Sequence, residues 1–315
     1  MRTVHVIGLA ALFFPASANP AERRALLRVE SGHHVPSKLH IVQTPRRDVA
    51  FTGIFSFGVD PQRGKPYQID DINHILPWYD SCKKLGMTCM VLHDHVFSPS
   101  FVSNFSTEGV SFHEMLPVLE NGSYTDPTLE GLTPADMRFI ELLGYLKSPE
   151  GSDIEYVVLT DGHDVTFRKD PLKLMRGTDA VMDAHYIFGQ EEWRPRAPGG
   201  GGGKETALGR LVPYWKDCFG TDMPEEFTYG RMPNCGFIGG HRTVLIPFLE
   251  RMQHWYVQVP VQRRFIMCDM LVFMRTVMED YGDRIVTGYP FHSKFKNSDG
   301  EELAAIYHKS PDIHP

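Results

Sequence analysis

The chain has 315 residues, 42% hydrophobic and 23% charged, a globular composition long enough for one large domain or two small ones. Its net charge of -7 argues against nonspecific binding to nucleic acid. It leaves small anionic ligands open, because one metal ion or a few local cations outweigh it.

The first twenty residues read MRTVHVIGLAALFFPASANP. One early cation, Arg2, an apolar run over 4–14 and the small-x-small step Ala16-Ser17-Ala18 predict a secretory signal peptide over 1–18. Its apolar core is short for a membrane anchor, so a cleavable signal is expected ahead of an uncleaved anchor, and no later stretch is apolar enough to span a bilayer. A lead-in segment follows over 19–47. Residues 49–57 (VAFTGIFSF) predict a strand ending at Gly58, and 60–67 a loop. Residues 69–85 predict a helix that Pro77 kinks or breaks and Gly86 stops, and 88–92 a second strand. Strand, helix, strand points to a parallel α/β sheet.

Residues 97–134 read as irregular and hold two glycosylation sequons, Asn104-Phe105-Ser106 and Asn121-Gly122-Ser123. A helix is expected over 134–146, capped by Thr133, then a strand over 155–159, a short helix over 171–175 and a short strand over 180–182. Five consecutive glycines at 199–203 predict a mobile loop over 194–205, either an inert insertion or an active-site lid. It is no Walker loop: Pro198 stands where the first Gly belongs and Glu205 where Ser or Thr does. Helices at 207–219, 243–257 and 263–281 and strands at 233–240, 284–287 and 303–307 complete the domain, 48–315. The five cysteines leave at least one unpaired within the chain. Cys82 with Cys89, or Cys218 with Cys235, are open pairings.

The stretch YVVLTDGHDVTFRKDP, 156–171, carries the chemistry. An apolar strand runs into Asp161, Gly162, His163 and Asp164. Ligands of open α/β sheets bind beyond the carboxyl ends of the strands, where this turn lies. Two carboxylates on one tight turn suit one hard cation, Mg²⁺ or Mn²⁺, whose other positions go to phosphate and water. Such a cation stabilises a departing diphosphate. The plainer alternative is that Asp161 caps the turn and Asp164 pairs with Arg168 or Lys169.

LTDGHDVTFRKDP resembles the segment around the metal site of GT-A glycosyltransferases, nearest to the collagen glucosyltransferase domain of the lysyl hydroxylases. Asp161, Asp164, Val165 and Phe167 match its D-x-x-D turn and the apolar pair after it. Residues 180–193 (AVMDAHYIFGQEEW) are similar to its acidic strand and Trp loop, and 234–239 (NCGFIG) to its N-S-G-x-F-I-G element, with Cys235 for Ser. Asp269 resembles the acid of a D-Q step, with Met270 for Gln, and Tyr307-His308 matches a strand-borne metal histidine. His163 and the glycine loop depart from the pattern, and the N-terminal region matches poorly.

The resemblance implies a central, mostly parallel twisted sheet flanked by helices, the nucleotide-diphospho-sugar transferase fold. It implies Asp161, Asp164 and His308 as ligands of Mn²⁺ or Mg²⁺. Asn234, Gly236 and Gly239 would let backbone approach sugar or phosphate. Asp183 and His185 would face the sugar, Asp269 would contact a sugar hydroxyl or act as base, and Lys309 would neutralise phosphate. Ser56, Phe57 and Gly58 would receive the nucleotide base. Each has a plainer reading: core packing, structural turns, a helix N-terminal carboxylate, solvated termini.

The implied protein is a secretory-pathway hexosyltransferase moving a sugar, expected from a UDP-sugar, to a hydroxyl on protein or glycan. Two other classes stand against it. His93, His95 and His163 with the two aspartates would build a two-metal hydrolase. A non-catalytic sugar-binding protein would keep the fold alone.

Overall fold

The computed structural model describes residues 46–60, 64–115, 119–120, 123–124, 129–176, 187–189, 207–228, 233–264, 268–287, 290–291 and 304–308. All belong to one unit of the chain, Thr44–Pro315. The signal and lead-in segments, the strand expected at 180–182 and the glycine loop lie outside the described residues.

The first strand, β1 (Arg47–Ile54), alternates its side chains between two apolar layers, with Val49 and Phe51 on one face and Ala50 and Ile54 on the other. After a 3₁₀ turn comes α1 (Leu76–Leu85). Pro77 lies in its first turn and begins the helix, so the expected longer helix is not formed. Gly86 ends α1 in the left-handed region at φ 61°. Next is β2 (Cys89–His93). The stretch expected to be irregular then holds α2 (Pro99–Phe105), capped by the Ser98 side chain, and β3 (Val110–Glu114). A small hairpin, β4 (Leu119–Glu120) with β5 (Ser123–Tyr124), precedes α3 (Pro134–Lys147). Thr133 and Asp136 form a reciprocal capping box at the start of α3.

The second half runs β6 (Ile154–Thr160), β7 (Val165–Phe167), α4 (Pro171–Arg176), β8 (Ile187–Gly189) and α5 (Ala207–Phe219). It ends with β9 (Phe237–His241), α6 (Arg242–Gln258), α7 (Cys268–Thr276), β10 (Ile285–Thr287) and β11 (Ile306–His308). The helix expected over 263–281 is broken into a 3₁₀ turn (Val261–Arg263), α7 and a π turn (Val277–Tyr281).

Seven strands form one sheet in the order β10-β8-β9-β6-β1-β2-β3. All pairings are parallel except those of β9, which runs against both β6 and β8. The architecture is therefore mixed α/β, a mostly parallel sheet flanked by helices, as expected. One layer packs α3, α5, α6 and α7 on the sheet through Leu142, Trp215, Phe248 and Leu271. The other packs α1, α2 and α4 through Trp78, Phe101 and Met175. β6 divides its side chains between the layers, Val157 and Leu159 to the first, Tyr156 and Val158 to the second. That is why its run reads as continuously apolar.

Two disulfides form, Cys82 of α1 to Cys89 of β2 and Cys218 of α5 to Cys268 of α7. The second corrects the alternative pairing of Cys218 with Cys235. Cys235 is a buried free thiol in the turn just before β9, and Cys268, fifty residues from Cys218, reaches α5 from the first turn of α7.

Candidate metal centre

β6 ends at Thr160, and the chain turns through Asp161, Gly162, His163 and Asp164 into β7. Gly162 lies against its neighbours: a Cβ there would stand 2.6 Å from Thr52 Oγ1 and 2.8 Å from Ile75 Cγ2. Any side chain would lift the turn off β1 and off the chain entering α1. The backbone of the turn is also tied to the next strand, because Asp161 N donates to Gly236 O at 3.0 Å.

His308 arrives by a separate route. β7 and β11 pair antiparallel, with Ile306 opposite Phe167, Tyr307 opposite Thr166 and His308 opposite Val165. That register puts His308 beside the residue that follows Asp164. The ribbon is fixed at its Phe167–Ile306 end. Phe167 N donates to Ser81 Oγ on α1 at 3.0 Å, and Arg168 N to Ala305 O at 2.7 Å. The Arg168 guanidinium lies 4.0 Å from the centre of the Tyr307 ring.

The three expected ligands therefore converge. His308 Nε2 is 3.3 Å from Asp161 Oδ2 and 3.4 Å from Asp164 Oδ1. All three ligand atoms lie within 4.8 Å of one another, and this is the one such cluster of acidic, His and Cys residues among the described residues. In an octahedral shell at about 2.0–2.1 Å, neighbouring ligand atoms stand about 3 Å apart. The spacing fits a Mg²⁺- or Mn²⁺-sized ion with one face left for outside ligands. The His308 side chain is 2% exposed, that of Asp164 9% and that of Asp161 21%, so the open side is the Asp161 side.

Gly236 completes the wall. A Cβ there would overlap His308 Cε1 and stand 3.0 Å from both Asp161 Oδ2 and Asn234 Oδ1. Asn234 closes its own turn by accepting from Gly236 N at 2.7 Å. Gly239 has a different place. It lies inside the sheet opposite Val158, where a Cβ would run into Met175 of α4, so it serves strand–helix packing and not the rim.

Arg138 of α3, missed by sequence reasoning, reaches the turn from the opposite layer. Its Nη1 pairs with Asp161 Oδ1, and Nη2 donates to Cys235 O at 3.2 Å and Asp269 Oδ2 at 3.4 Å. Nothing in the sequence marks it: it stands between Met137 and Phe139, on no polar face of its helix. Asp269 is in the first turn of α7, as the pattern implied, but its carboxylate is buried against Arg138 and the Cys235 thiol. This corrects the expectation of a sugar-facing base: the group is closed off and engaged by a cation.

Around this pair the interior is polar but closed. Burial, and then Asp269, push the Asp136 carboxyl up to about 7. Burial likewise raises the Cys235 thiol and the Tyr256 hydroxyl, with Asp269 and Asp136 adding in the same direction. Burial works against the charge on Arg138, but its acidic neighbours, the Asp269 carboxylate among them, outweigh it and hold the guanidinium charged.

Ser56, Phe57 and Gly58 follow β1 on the same edge, since β1 and β6 are parallel neighbours with Thr52 opposite Thr160. Asp94 organises them. It accepts from Ser56 N at 2.8 Å, Ser56 Oγ at 2.9 Å, Phe57 N at 3.2 Å and Val96 N at 3.0 Å. Asp94, which lies between the two histidines of the hydrolase alternative, thus holds this loop. His93 turns back to the Asp94 carbonyl and packs against Phe97 and Phe112, while His95 pairs with Glu114 at 2.7 Å. Neither joins the Asp161 cluster. Asp183, His185 and Lys309 lie outside the described residues.

No family model matches the sequence, and no curated protein matches it. The motif resemblance to the collagen glucosyltransferase branch thus remains one of motifs. Among solved structures the chain is similar to the galactosyltransferase LgtC, crystallised with donor and acceptor sugar analogs, at 12% identity and a TM-score of 0.45, covering 84% of this chain and 87% of that one. A likeness of that size carries no functional argument.

Proposed function

We propose that the chain is a metal-dependent glycosyltransferase of the GT-A class, which takes a sugar from a nucleotide-sugar donor, a UDP-sugar first, to a hydroxyl acceptor on protein or glycan. The observation that carries this reading is the convergence of Asp161, Asp164 and His308 at the carboxyl edge of a mostly parallel sheet. Two acidic oxygens and one imidazole nitrogen suit Mn²⁺ or Mg²⁺. Such a cation, when bound, neutralises charge gathering on a departing diphosphate.

The chain's own residues do the rest. Asp161 supplies negative charge on the open side, and buried Asp164 and His308 close the back. Gly236, lacking a side chain, lets His308, Asp161 and Asn234 close in on one another. The loop held by Asp94 offers Ser56 and Phe57 to the base at the head of the neighbouring strand. The acceptor oxygen bonds to the anomeric carbon as the bond from that carbon to the diphosphate breaks, and the proton of the acceptor hydroxyl passes to the departing diphosphate or to water. Asp269 supports Arg138 in this scheme and takes no proton from the acceptor.

We place the protein in the secretory pathway. The signal-like N-terminus, the exposed Asn104 of the first sequon and two disulfides support this compartment. No helix among the described residues is long and apolar enough to cross a membrane. The test is hydrolysis or transfer across a panel of UDP-, GDP- and CMP-sugars with Mn²⁺. Turnover of one donor that EDTA abolishes, and that Asp161→Asn with Asp164→Asn lowers at least about 100-fold, is expected. A double variant with full activity refutes the metal role. Donor or sugar binding without turnover favours the non-catalytic protein.

A further inference from the structure

The two oxygens of Asp161 have different neighbours. Oδ2 faces His308 Nε2 at 3.3 Å, and Oδ1 is taken by Arg138 Nη1. The other arm of the same guanidinium is fixed by the Cys235 carbonyl at 3.2 Å and by Asp269 at 3.4 Å. The stem of Arg138 passes directly over β1 at Gly53, where a Cβ would stand 2.7 Å from Arg138 Cβ. A buried cation two bonds from a metal ligand is a costly arrangement unless it orders something, because both its charge and the charges around it leave water.

We propose that Arg138 is the positioning residue of the metal centre: it occupies Oδ1 of Asp161, leaves Oδ2 as the single ligand oxygen, and is itself held by Asp269 and the Cys235 carbonyl. The inference rests on the metal reading proposed above. A planar fork is needed, since one group must reach carboxylates from two different elements at once; lysine offers a point charge and cannot bridge them.

The sign of one measurement separates this role from a merely electrostatic one. On charge alone, removing a cation beside the site tightens binding of a second cation. On positioning, removing it frees Asp161 to rotate and weakens binding. Mn²⁺ affinity is measured on the full mature chain without nucleotide, by loss of the free-ion paramagnetic signal on titration. Arg138→Met, folded by circular dichroism, is expected to weaken Mn²⁺ binding about 10–100-fold, the usual range for a residue that orients a ligand. Affinity equal to or tighter than wild type overturns the proposal and leaves the metal reading standing. Wild-type protein that binds no Mn²⁺ overturns both.

Should Arg138→Met not fold, Arg138→Lys and Asp269→Asn carry the test. Each is expected to weaken Mn²⁺ binding about 10-fold, because the first loses the fork and the second its anchor. Wild-type affinity in both defeats the inference.

Discussion

The chemistry of this site comes down to what individual positions leave out or keep in. Gly236 is the clearest case, because the space its side chain would take is already held by His308, Asp161 and Asn234. Gly236→Ala is expected to push His308 and Asp161 apart and weaken Mn²⁺ binding at least about 10-fold, with a stability loss of about 1–3 kcal/mol from overpacking. A titration showing unchanged affinity would mean the three groups do not share one ion. Glu141, on α3, makes a different prediction. Burial, then the nearby charge of Asp94, raise its carboxyl from 4.5 to about 7. The folded state therefore binds a proton more readily than the unfolded chain. The resulting stability is fully present below about pH 4.5 and is lost as pH rises to about 7. Glu141→Gln should stabilise the protein at pH 8, by on the order of 2 kcal/mol in urea denaturation, and do little at pH 4.5. Equal effects at both pH values would show that Glu141 is solvated. The two aspartates and the histidine were legible in the sequence, the first two from their turn and the third from its motif. Arg138 and the true place of Asp269 were not, since a buried ion pair between α3 and α7 leaves no trace in spacing.

At the scale of elements, legibility followed chemistry that is local. Thr133 with Pro134, Gly86 after an apolar helix, and the apolar run before Asp161 each announced a boundary the structure keeps. Thr133→Ala removes one half of the capping box at α3 and is expected to cost about 1 kcal/mol by chemical denaturation. No loss would show that Asp136 and the helix packing hold that end unaided. The elements that escaped were short ones whose existence depends on partners far along the chain. β7 has three residues and forms because β11, more than a hundred residues later, pairs with it. β8 likewise needs β9 and β10. β3 and α2 sat in a stretch whose Ser, Asn and Gly content reads as loop. Yet their Phe101, Phe105 and Phe112 pack as one aromatic cluster with Phe97. That β7–β11 ribbon carries His308 to the aspartates, so the least legible pairing is the one the site depends on most.

Across the whole molecule, the two faces of the sheet meet at the acidic turn. The layer of α1 and the β7–β11 ribbon contributes Asp164 and His308, the layer of α3 and α7 contributes Arg138 and Asp269, and Asp161 stands on the sheet edge between them. A ligand drawn to that edge touches both layers, which is why its binding should register as stability of the entire fold. The most direct measurement is the melting temperature of the protein with UDP, with Mn²⁺, and with both. The account predicts that UDP raises it appreciably only when Mn²⁺ is present, and that Asp161→Asn with Asp164→Asn erases the rise. A melting temperature indifferent to the pair, or a double variant that responds like wild type, would contradict it.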